Sequence, residues 1–287
     1  MGMSQSLTAR DAEVIVGAQR RRRNVLVLSE DSDWLRDLHP RPKDLLLRMA
    51  GRGALIKLGA GRYAIPAFGH ADPAYKAWQP MLYGRLAPLG DYYLGFFSAL
   101  AEHRLTDLSE PFATVLVGFG SRQLQSGKLE IAGRQVRSVR TRRPVFSSEL
   151  GAEVMRLSRA EMYMRSNPTR TLVDALWHPE LSGDTETWVT AWGRGMRYEQ
   201  LDPVAACGYA LALGPAVARR AGLMLDLLGA GEVARAQLPS RVRRSDRIAL
   251  MIADGPPAAE EMEFDPFWRV RLNVPRDRIE GWLLYGK

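Results

Sequence analysis

The chain has 287 residues, 46% of them hydrophobic and 25% charged, and its 40 lysines and arginines exceed its 32 aspartates and glutamates by eight charges. No apolar run approaches the roughly 20 residues that span a bilayer, and the first residues lack the apolar core of a signal peptide. These features favour a soluble, cytoplasmic protein of about two domains, without a membrane partner. One cysteine, Cys207, excludes an internal disulfide and is expected to be a small core residue.

The first 40 residues predict two helices and a short strand. Thr8 and Asp11 are three residues apart and resemble a capping pair at the start of a helix. Ser29 is expected to cap the second helix. The predicted elements are a helix at about 9–18, a strand at 25–28 and a helix through Leu38.

Residues 41–65 predict a helix followed at once by a glycine-tipped hairpin. At about 100° per residue, the apolar residues of the helix share one face and its arginines share another. Apolar and basic residues then alternate on both sides of Gly59-Ala60-Gly61, a three-residue loop with glycine where positive φ is usual. The apolar face consists of Leu45, Leu46 and Met49, and the bases are Arg41, Lys43, Arg48, Arg52, Lys57 and Arg62.

These six bases against one acid, Asp44, give residues 41–62 a local excess of +5. A solvated helix face explains such a pattern, but the hairpin and the concentration of charge favour double-stranded DNA as the partner. Helix, helix, helix and hairpin predict a winged helix-turn-helix domain over residues 1–66. All six bases named above are its candidate DNA contacts.

Beyond residue 66 the sequence predicts a linker with a connecting helix at 67–90 and a larger mixed α/β domain at 91–287. The fold class is therefore α+β. Asn167 before Pro168 indicates the start of a helix, and Ser158 with Glu161 indicates another. The predicted helices are at 75–86, 92–103, 159–177 with a break near Pro168, 185–193, 203–213 and 216–228, and the predicted strands at 112–117, 129–131, 136–139, 154–157, 248–252 and 268–274.

A second basic stretch lies between Arg122 and Arg143, where seven bases accompany Glu130. Either this β-ribbon touches nucleic acid or it is a solvent-facing sheet edge protected by charge, and the sequence favours neither. The possible second basic surface consists of Arg134, Arg137, Arg140, Arg142 and Arg143.

Motifs for catalysis or metal binding are missing from the sequence. The four histidines are far apart and lack the spacing of a metal site, and Gly120 to Lys128 has the wrong spacing for a phosphate-binding loop. The acidic residues at 260–265 indicate a solvated loop, with a protein partner as the alternative. Asp174 is expected to be a partly exposed helix residue that pairs with Arg170. We therefore expect no catalytic residue, no metal and no cofactor.

Four segments of the chain resemble the AbiEi family, the antitoxins of type IV toxin–antitoxin systems. The first ends in Gly-Arg-Tyr-Ala-Ile-Pro, and the second, YYLGFFSALAEHRLT, is similar to the family's YYLSFESALEYHGLT-like segment but departs from it at Gly95 and Arg104. The third resembles an ERTLLDAL-like helix and the fourth an RRLGYLL-like helix. The segments are residues 45–66, 92–106, 168–176 and 218–225.

The resemblance implies a DNA-binding N-terminal domain that represses its own operon and a C-terminal domain that counteracts a nucleotidyltransferase-like toxin. Neither role requires an active site. The alternative is a stand-alone winged-helix transcription regulator whose larger domain binds a ligand or another protein. A third hypothesis, an enzyme that uses Asp174 or Asp226, stays open but has less support.

Overall fold

A computed structural model of the chain describes residues 7–21, 23, 25–59, 61–66, 92–108, 113–118, 129–131, 134–141, 145–156, 162–240, 242, 249–251 and 263–285. The predicted helix at 75–86 and the capping pair of Ser158 and Glu161 lie outside these residues. The chain forms two compact units, one of Met1–Pro88 with Arg156–Tyr163 and one of Leu89–Met155 with Met164–Lys287. The fold is α+β, and within the described residues no helix is long and apolar enough to cross a membrane.

The first unit combines three helices with a three-stranded antiparallel sheet among its described residues. The sheet has the order β1-β3-β2. On the central strand, Tyr63 lies between Leu26 of β1 and Lys57 of β2. The elements are α1 (Ala9–Arg20), β1 (Val25–Val27), α2 (Leu28–Leu38), α3 (Pro42–Gly51), β2 (Ile56–Gly59) and β3 (Arg62–Ala64).

The start of α1 confirms the predicted capping pair, whereas the predicted cap of α2 is wrong. Thr8 Oγ1 accepts a hydrogen bond from the Asp11 backbone N–H, and the Asp11 carboxylate accepts one from Thr8 in return. Helix α2 begins one residue before Ser29 and has no side-chain cap at its N-cap residue, Val27. Instead, Asp31 reaches back from the first turn and accepts the Val27 N–H at 2.8 Å.

The apolar face predicted for the third helix forms part of the first unit's core. Leu45, Leu46 and Met49 are all buried, together with residues of α1, α2 and the sheet. Burial of three such side chains stabilises the unit by about 1.5–3 kcal/mol each relative to exposure. Because this face is fixed in the core, the opposite face of α3 must point to solvent.

The second unit contains a mixed six-stranded sheet of order β6-β7-β5-β4-β9-β8. Strand β4 pairs antiparallel with β5 and parallel with β9, where Leu94 lies opposite Arg165. Strand β5 also pairs in parallel with β7, and β7 pairs antiparallel with β6. The strands are β4 (Tyr92–Leu94), β5 (Ala113–Gly118), β6 (Leu129–Ile131), β7 (Arg134–Thr141), β8 (Ala152–Arg156) and β9 (Met162–Ser166).

Helices supply most of the second unit's core, which is rich in tryptophan and leucine. Asn167 caps α5 by accepting the Arg170 N–H, as its sequence predicts, and Pro168 occupies the first turn. The helices are α4 (Phe96–Glu102), α5 (Pro168–Trp177), α6 (Thr185–Arg197), α7 (Pro203–Leu213), α8 (Pro215–Leu227), α9 (Gly231–Gln237) and α10 (Arg276–Tyr285).

Two predicted helices are wrong in the same way, because each includes a strand. Residues 92–103 form β4 and then α4, and β9 occupies part of the predicted helix at 159–177. In β4 all three side chains are buried, so the alternation that identifies a half-exposed strand is lacking. Arg104, where the resembled pattern has glycine, adopts a left-handed φ of 59°, a conformation that costs a non-glycine residue about 1–2 kcal/mol.

The predicted strand pair near the end of the chain is present, and a third strand that was not predicted joins it. Strands β10 (Ala249–Met251) and β12 (Val270–Leu272) pair in parallel, and β11 (Glu263–Asp265) adds an antiparallel third strand. The prediction of a solvated loop is therefore wrong for Glu263 and Asp265, which lie on β11 and form ion pairs with Arg276 of α10. Helix α10, which the sequence did not predict, packs against α6.

Candidate nucleic-acid interface

The exposed face of α3 carries three of the six predicted DNA contacts. Arg41 is the N-cap residue and makes no cap hydrogen bond through its side chain, while Lys43 and Arg48 lie in the first and second turns of the helix. All three side chains are exposed. Asp44, at 3.5 Å from Arg41 Nε, offsets part of this charge.

Leu47 belongs to the same face and was not predicted as a site residue. Its side chain is 37% exposed, although leucine side chains are usually buried in the core. At about 100° per residue it lies between Lys43 and Arg48 around the helix. The face therefore presents one apolar group flanked by two cations.

His39 holds Arg48 in place, although the sequence indicated only a surface or packing residue. Its Nε2 lies 2.7 Å from Arg48 Nη2, and its Nδ1 lies 3.0 Å from the Arg41 carbonyl. With the proton on Nδ1, the imidazole donates to the Arg41 carbonyl and its Nε2 accepts from Arg48, while the Arg41 backbone N–H, also 3.0 Å from Nδ1, receives no acceptor from the ring. Arg48 Nε also donates to the Asp44 carbonyl at 3.3 Å, so the guanidinium is held from two sides while remaining exposed.

Arg52 has a structural partner. Its Nη2 donates at 2.7 Å to the carboxylate of Asp11, a residue only 1% exposed. Burial by itself would raise the pKa of Asp11, but hydrogen bonds from Thr8 and Arg52 together with the Arg52 charge lower the pKa overall. Arg52 thus ties the end of α3 to the start of α1, with 48% of its side chain still exposed.

The hairpin after α3 supplies the remaining two predicted bases. Lys57 on β2 is exposed, and Arg62 on β3 is half-buried and has a partner. Gly61 has the positive φ of 69° that the turn was expected to need, and the register shifts between Lys57 and Gly59, so that Gly59 lies opposite Arg62. Glycine relieves strain at such a position.

The possible second basic surface is only partly described. Arg134, Arg137 and Arg140 lie on β7, which is the second strand of the sheet rather than its edge, and Arg142 and Arg143 lie outside the described residues. Arg137 and Arg140 are exposed and each has a partner. Both interpretations of this ribbon stay predictions.

The pairing predicted between Asp174 and Arg170 is present, but its predicted exposure is wrong. Both side chains are fully buried, and Arg170 Nε donates to Asp174 Oδ1 at 2.7 Å. Tyr93 completes the cluster, because its hydroxyl donates to Asp174 Oδ2 at 2.7 Å and accepts from Arg170 Nη2 at 2.9 Å. Arg170 Nη1 donates to the Leu150 carbonyl, so every arm of the guanidinium is occupied.

Opposing effects act on this buried pair. Burial raises the pKa of Asp174, and the charge of Arg170 with the hydrogen bonds from Arg170 and Tyr93 lowers it by less. Burial would lower the pKa of Arg170, but the Asp174 charge and the hydrogen bonds raise it. Burial, more than any other cause, raises the pKa of Tyr93 well above its ordinary value. A cluster closed to solvent, with its donors and acceptors matched, is suited to stabilise the fold.

Other reactive groups in the described part of the chain are also held in the core. Burial lowers the pKa of His103 to about 4, although its Nε2 contacts the Ser166 carbonyl. Cys207 is the core residue that the sequence predicted, and burial with the nearby Asp202 charge raises its pKa to about 11. Among the described residues no group of His, Cys, Asp and Glu is arranged to hold a metal ion.

Comparison with known proteins gives a likeness of fold. No family model matches the chain, and no curated protein matches it. The fold is similar to the crystal structure of the RV2827C protein from Mycobacterium tuberculosis, with a TM-score of 0.58, 17% sequence identity and coverage of 99% of this chain and 96% of that chain. At this identity the likeness shows the fold alone.

Proposed function

We propose that this protein is a DNA-binding antitoxin of a type IV toxin–antitoxin system. In this proposal the first unit is a winged helix-turn-helix that binds operator DNA and represses its own operon in the cytoplasm. The second unit counteracts a nucleotidyltransferase-like toxin without an enzymatic reaction of its own. The antitoxin role rests on the sequence resemblance, and the DNA-binding role rests on residues of α3 and its hairpin.

One observation carries the DNA-binding role: α3 buries its apolar face and directs Arg41, Lys43 and Arg48 to solvent, immediately before a basic hairpin. A helix exposed in this way fits the major groove, where its exposed side chains reach base edges. Lys57 and Arg62 on the hairpin would neutralise backbone phosphates.

The residues divide into three roles. Arg48, oriented by His39, is our candidate for a base contact, since an arginine fork pairs with the O6 and N7 of guanine. Leu47 would contact the methyl group of a thymine. Arg41 and Lys43 would bind phosphate, and Arg52 would chiefly hold α3 against α1 through Asp11.

The test measures binding of the full chain to the DNA upstream of its own operon by fluorescence anisotropy at several salt concentrations. Charge reversal at Lys43 and Arg48 should weaken binding at least tenfold. The slope of log K against log salt concentration should become less steep by about 0.9 for each phosphate that is no longer neutralised. The matched control is Arg36→Glu, which reverses an equally exposed arginine on α2. Unchanged affinity in the Lys43→Glu, Arg48→Glu variant would place the interface elsewhere.

The antitoxin role has a separate test, co-expression with the gene downstream. The full chain should relieve the toxicity of that gene product, and the Lys43→Glu, Arg48→Glu variant should do so equally well while failing to repress the operon. A downstream gene without toxicity would contradict the antitoxin role and favour the stand-alone regulator.

A further inference from the structure

Arg219 on α8 is buried, and among the described residues no counter-charge pairs with it. Its side chain is 1% exposed, and its Nε and Nη1 are sealed from solvent with no hydrogen-bond partner. A guanidinium in such a place is strongly unfavourable unless something pairs with it. Arg170, equally buried in the same unit, has a partner for every arm.

The charge of Arg269 acts on Arg219, and the neighbouring Trp268, two residues before β12, packs closely on α8. A Cβ at Gly222 would lie 2.3 Å from Cζ3 of Trp268, so the tryptophan ring rests directly on the helix at that glycine. Arg219 lies three residues before Gly222, on the same side of the helix, and Arg269 follows Trp268. The Nε of Arg269 is also buried without a partner.

Arg220 adds a third cation beside these two. Its Nη1 is anchored on the Leu176 carbonyl at 2.6 Å, while its buried Nε is without a partner. Burial lowers the pKa of Arg220, Glu180 opposes this effect and Arg219 adds to it. Burial, followed by the charge of Arg269, likewise lowers the pKa of Arg219. Arg219 therefore has a like charge from Arg269 and another from Arg220.

Glu180 acts on Arg220 but contacts His178 Nδ1 at 2.9 Å, and two further carboxylates of this region are occupied elsewhere. Asp226 accepts from Arg235 at 2.5 Å and from the Trp268 indole at 3.1 Å. Asp265 accepts from the Trp268 backbone N–H and from Arg276, both at 2.8 Å. Among the described residues, neither of these acids neutralises Arg219 or Arg269.

We propose that Arg219 and Arg269, with Arg220 beside them, bind the phosphate group of a small phosphorylated compound. Arginine forks match the oxygens of a phosphate, and several of them together fit a dianion better than a single carboxylate. A free phosphate, a pyrophosphate or the phosphate tail of a nucleotide shares this chemistry. The near-complete burial of Arg219 excludes the backbone of a DNA duplex.

The experiment is calorimetric titration of the full chain, in a phosphate-free buffer, with inorganic phosphate, pyrophosphate, ATP and acetate. At least one phosphate probe should bind saturably with a millimolar or lower Kd, and acetate should bind at least tenfold more weakly. ATP binding alone would identify a nucleotide, and equal binding of pyrophosphate and ATP would identify the phosphates as the recognised part. No saturable binding of any phosphate probe at roughly 10 mM would overturn the proposal.

Two variants locate the site. Arg219→Met should weaken phosphate binding at least tenfold, and without ligand its Tm should equal or exceed that of the wild type, since an unpaired buried charge is removed. Arg269→Met should weaken binding in the same direction, and the exposed control Arg278→Met should bind as the wild type does. Wild-type phosphate affinity in both Arg219→Met and Arg269→Met would overturn the assignment. So would loss of operator DNA affinity with phosphate binding retained, which would assign these arginines to DNA.

Discussion

The arginines of α3 and the arginine at the centre of the second unit show two opposite uses of one side chain. Arg170 is fully buried, and each of its three guanidinium nitrogens donates a hydrogen bond, to Asp174, to Tyr93 or to the Leu150 carbonyl. Arg48 is exposed and is oriented by one histidine and its own helix. The first arrangement is closed to any ligand, whereas the second leaves the positive charge facing solvent.

The difference shows that partners, rather than residue type, decide what an arginine can do. Both residues belong to helices that begin with a proline, and both have an aspartate four residues away. In α5 the aspartate completes a buried cluster, while in α3 Asp44 holds Arg48 only through its backbone carbonyl. Arg52 lies between these cases, because one arm is committed to buried Asp11 and the side chain stays half exposed.

The largest effect is expected from breaking the buried cluster. Asp174→Ala leaves the Arg170 charge unpaired in the core and should destabilise the protein by about 3–5 kcal/mol. Urea denaturation measures the loss. The matched control is Asp107→Ala, which removes the exposed partner of Arg194 and should leave the urea midpoint unchanged. Wild-type stability in Asp174→Ala, accompanied by loss of an enzymatic turnover, would instead support the enzyme hypothesis.

A double replacement sharpens this result. Arg170→Met with Asp174→Leu removes both charges and should be much less destabilised than Asp174→Ala, because no unpaired ion remains in the core. Equal destabilisation of the two variants would show that packing, and not the unpaired charge, causes the loss.

The intermediate case, Asp11 with Arg52, is expected to depend on pH. The pKa of Asp11 is lowered in the folded state from its ordinary 3.8, so its contribution to stability is present above that value and is lost as the pH falls through the folded pKa. Asp11→Asn should lower the free energy of unfolding by about 1–3 kcal/mol at neutral pH and by progressively less in acid.

Hydrogen–deuterium exchange of peptides from α1 and α3 measures this effect within the first unit. Asp33→Asn, which changes the exposed partner of Arg36, is the control and should exchange as the wild type does. A difference between Asp11→Asn and wild type that stays constant down to pH 3 would contradict the lowered pKa.

A smaller effect is expected where the cation is exposed. His39→Ala should weaken operator binding roughly threefold, about 0.6 kcal/mol, because Arg48 is no longer oriented by the imidazole but keeps its charge. In the Arg48→Ala background the same substitution should have no effect, which a double-mutant cycle measured by anisotropy would reveal. Additive losses would mean that His39 acts independently of Arg48.

Leu47→Ala should have the smallest effect, about a twofold loss of affinity confined to operators that retain one particular thymine. Replacing that thymine by uracil, which lacks the methyl group, should cause the same loss in the wild type and none in the variant. A uniform loss across all operator variants would assign Leu47 to packing.

Local signals in the sequence were sufficient for most elements but not for the site. The caps at Thr8 and Asn167 and the hairpin glycine Gly61 depend on neighbouring residues, and all three were predicted. Asp11, the partner of Arg52, is 41 residues away in the chain, and Tyr93, the second partner of Asp174, is 81 residues away. The ion pair of Arg52 and the burial of Asp174 were therefore not predicted. The prediction at β4 was wrong for a related reason: all three of its side chains are buried by the tertiary fold.

The 81-residue separation of Tyr93 and Asp174 also affects the order in which the protein is made. The labelled helices of the first unit and its sheet are complete once Pro66 has been synthesised. The ion-pair cluster must wait for α5, and at roughly 5–20 residues per second those 81 residues take between about 4 and 16 seconds to emerge. Strand β4 emerges long before β9, and α6 long before α10, so the second unit depends on contacts that form slowly. A nascent chain on the ribosome can therefore carry the completed helix α3 and its hairpin before most of the second unit has been synthesised.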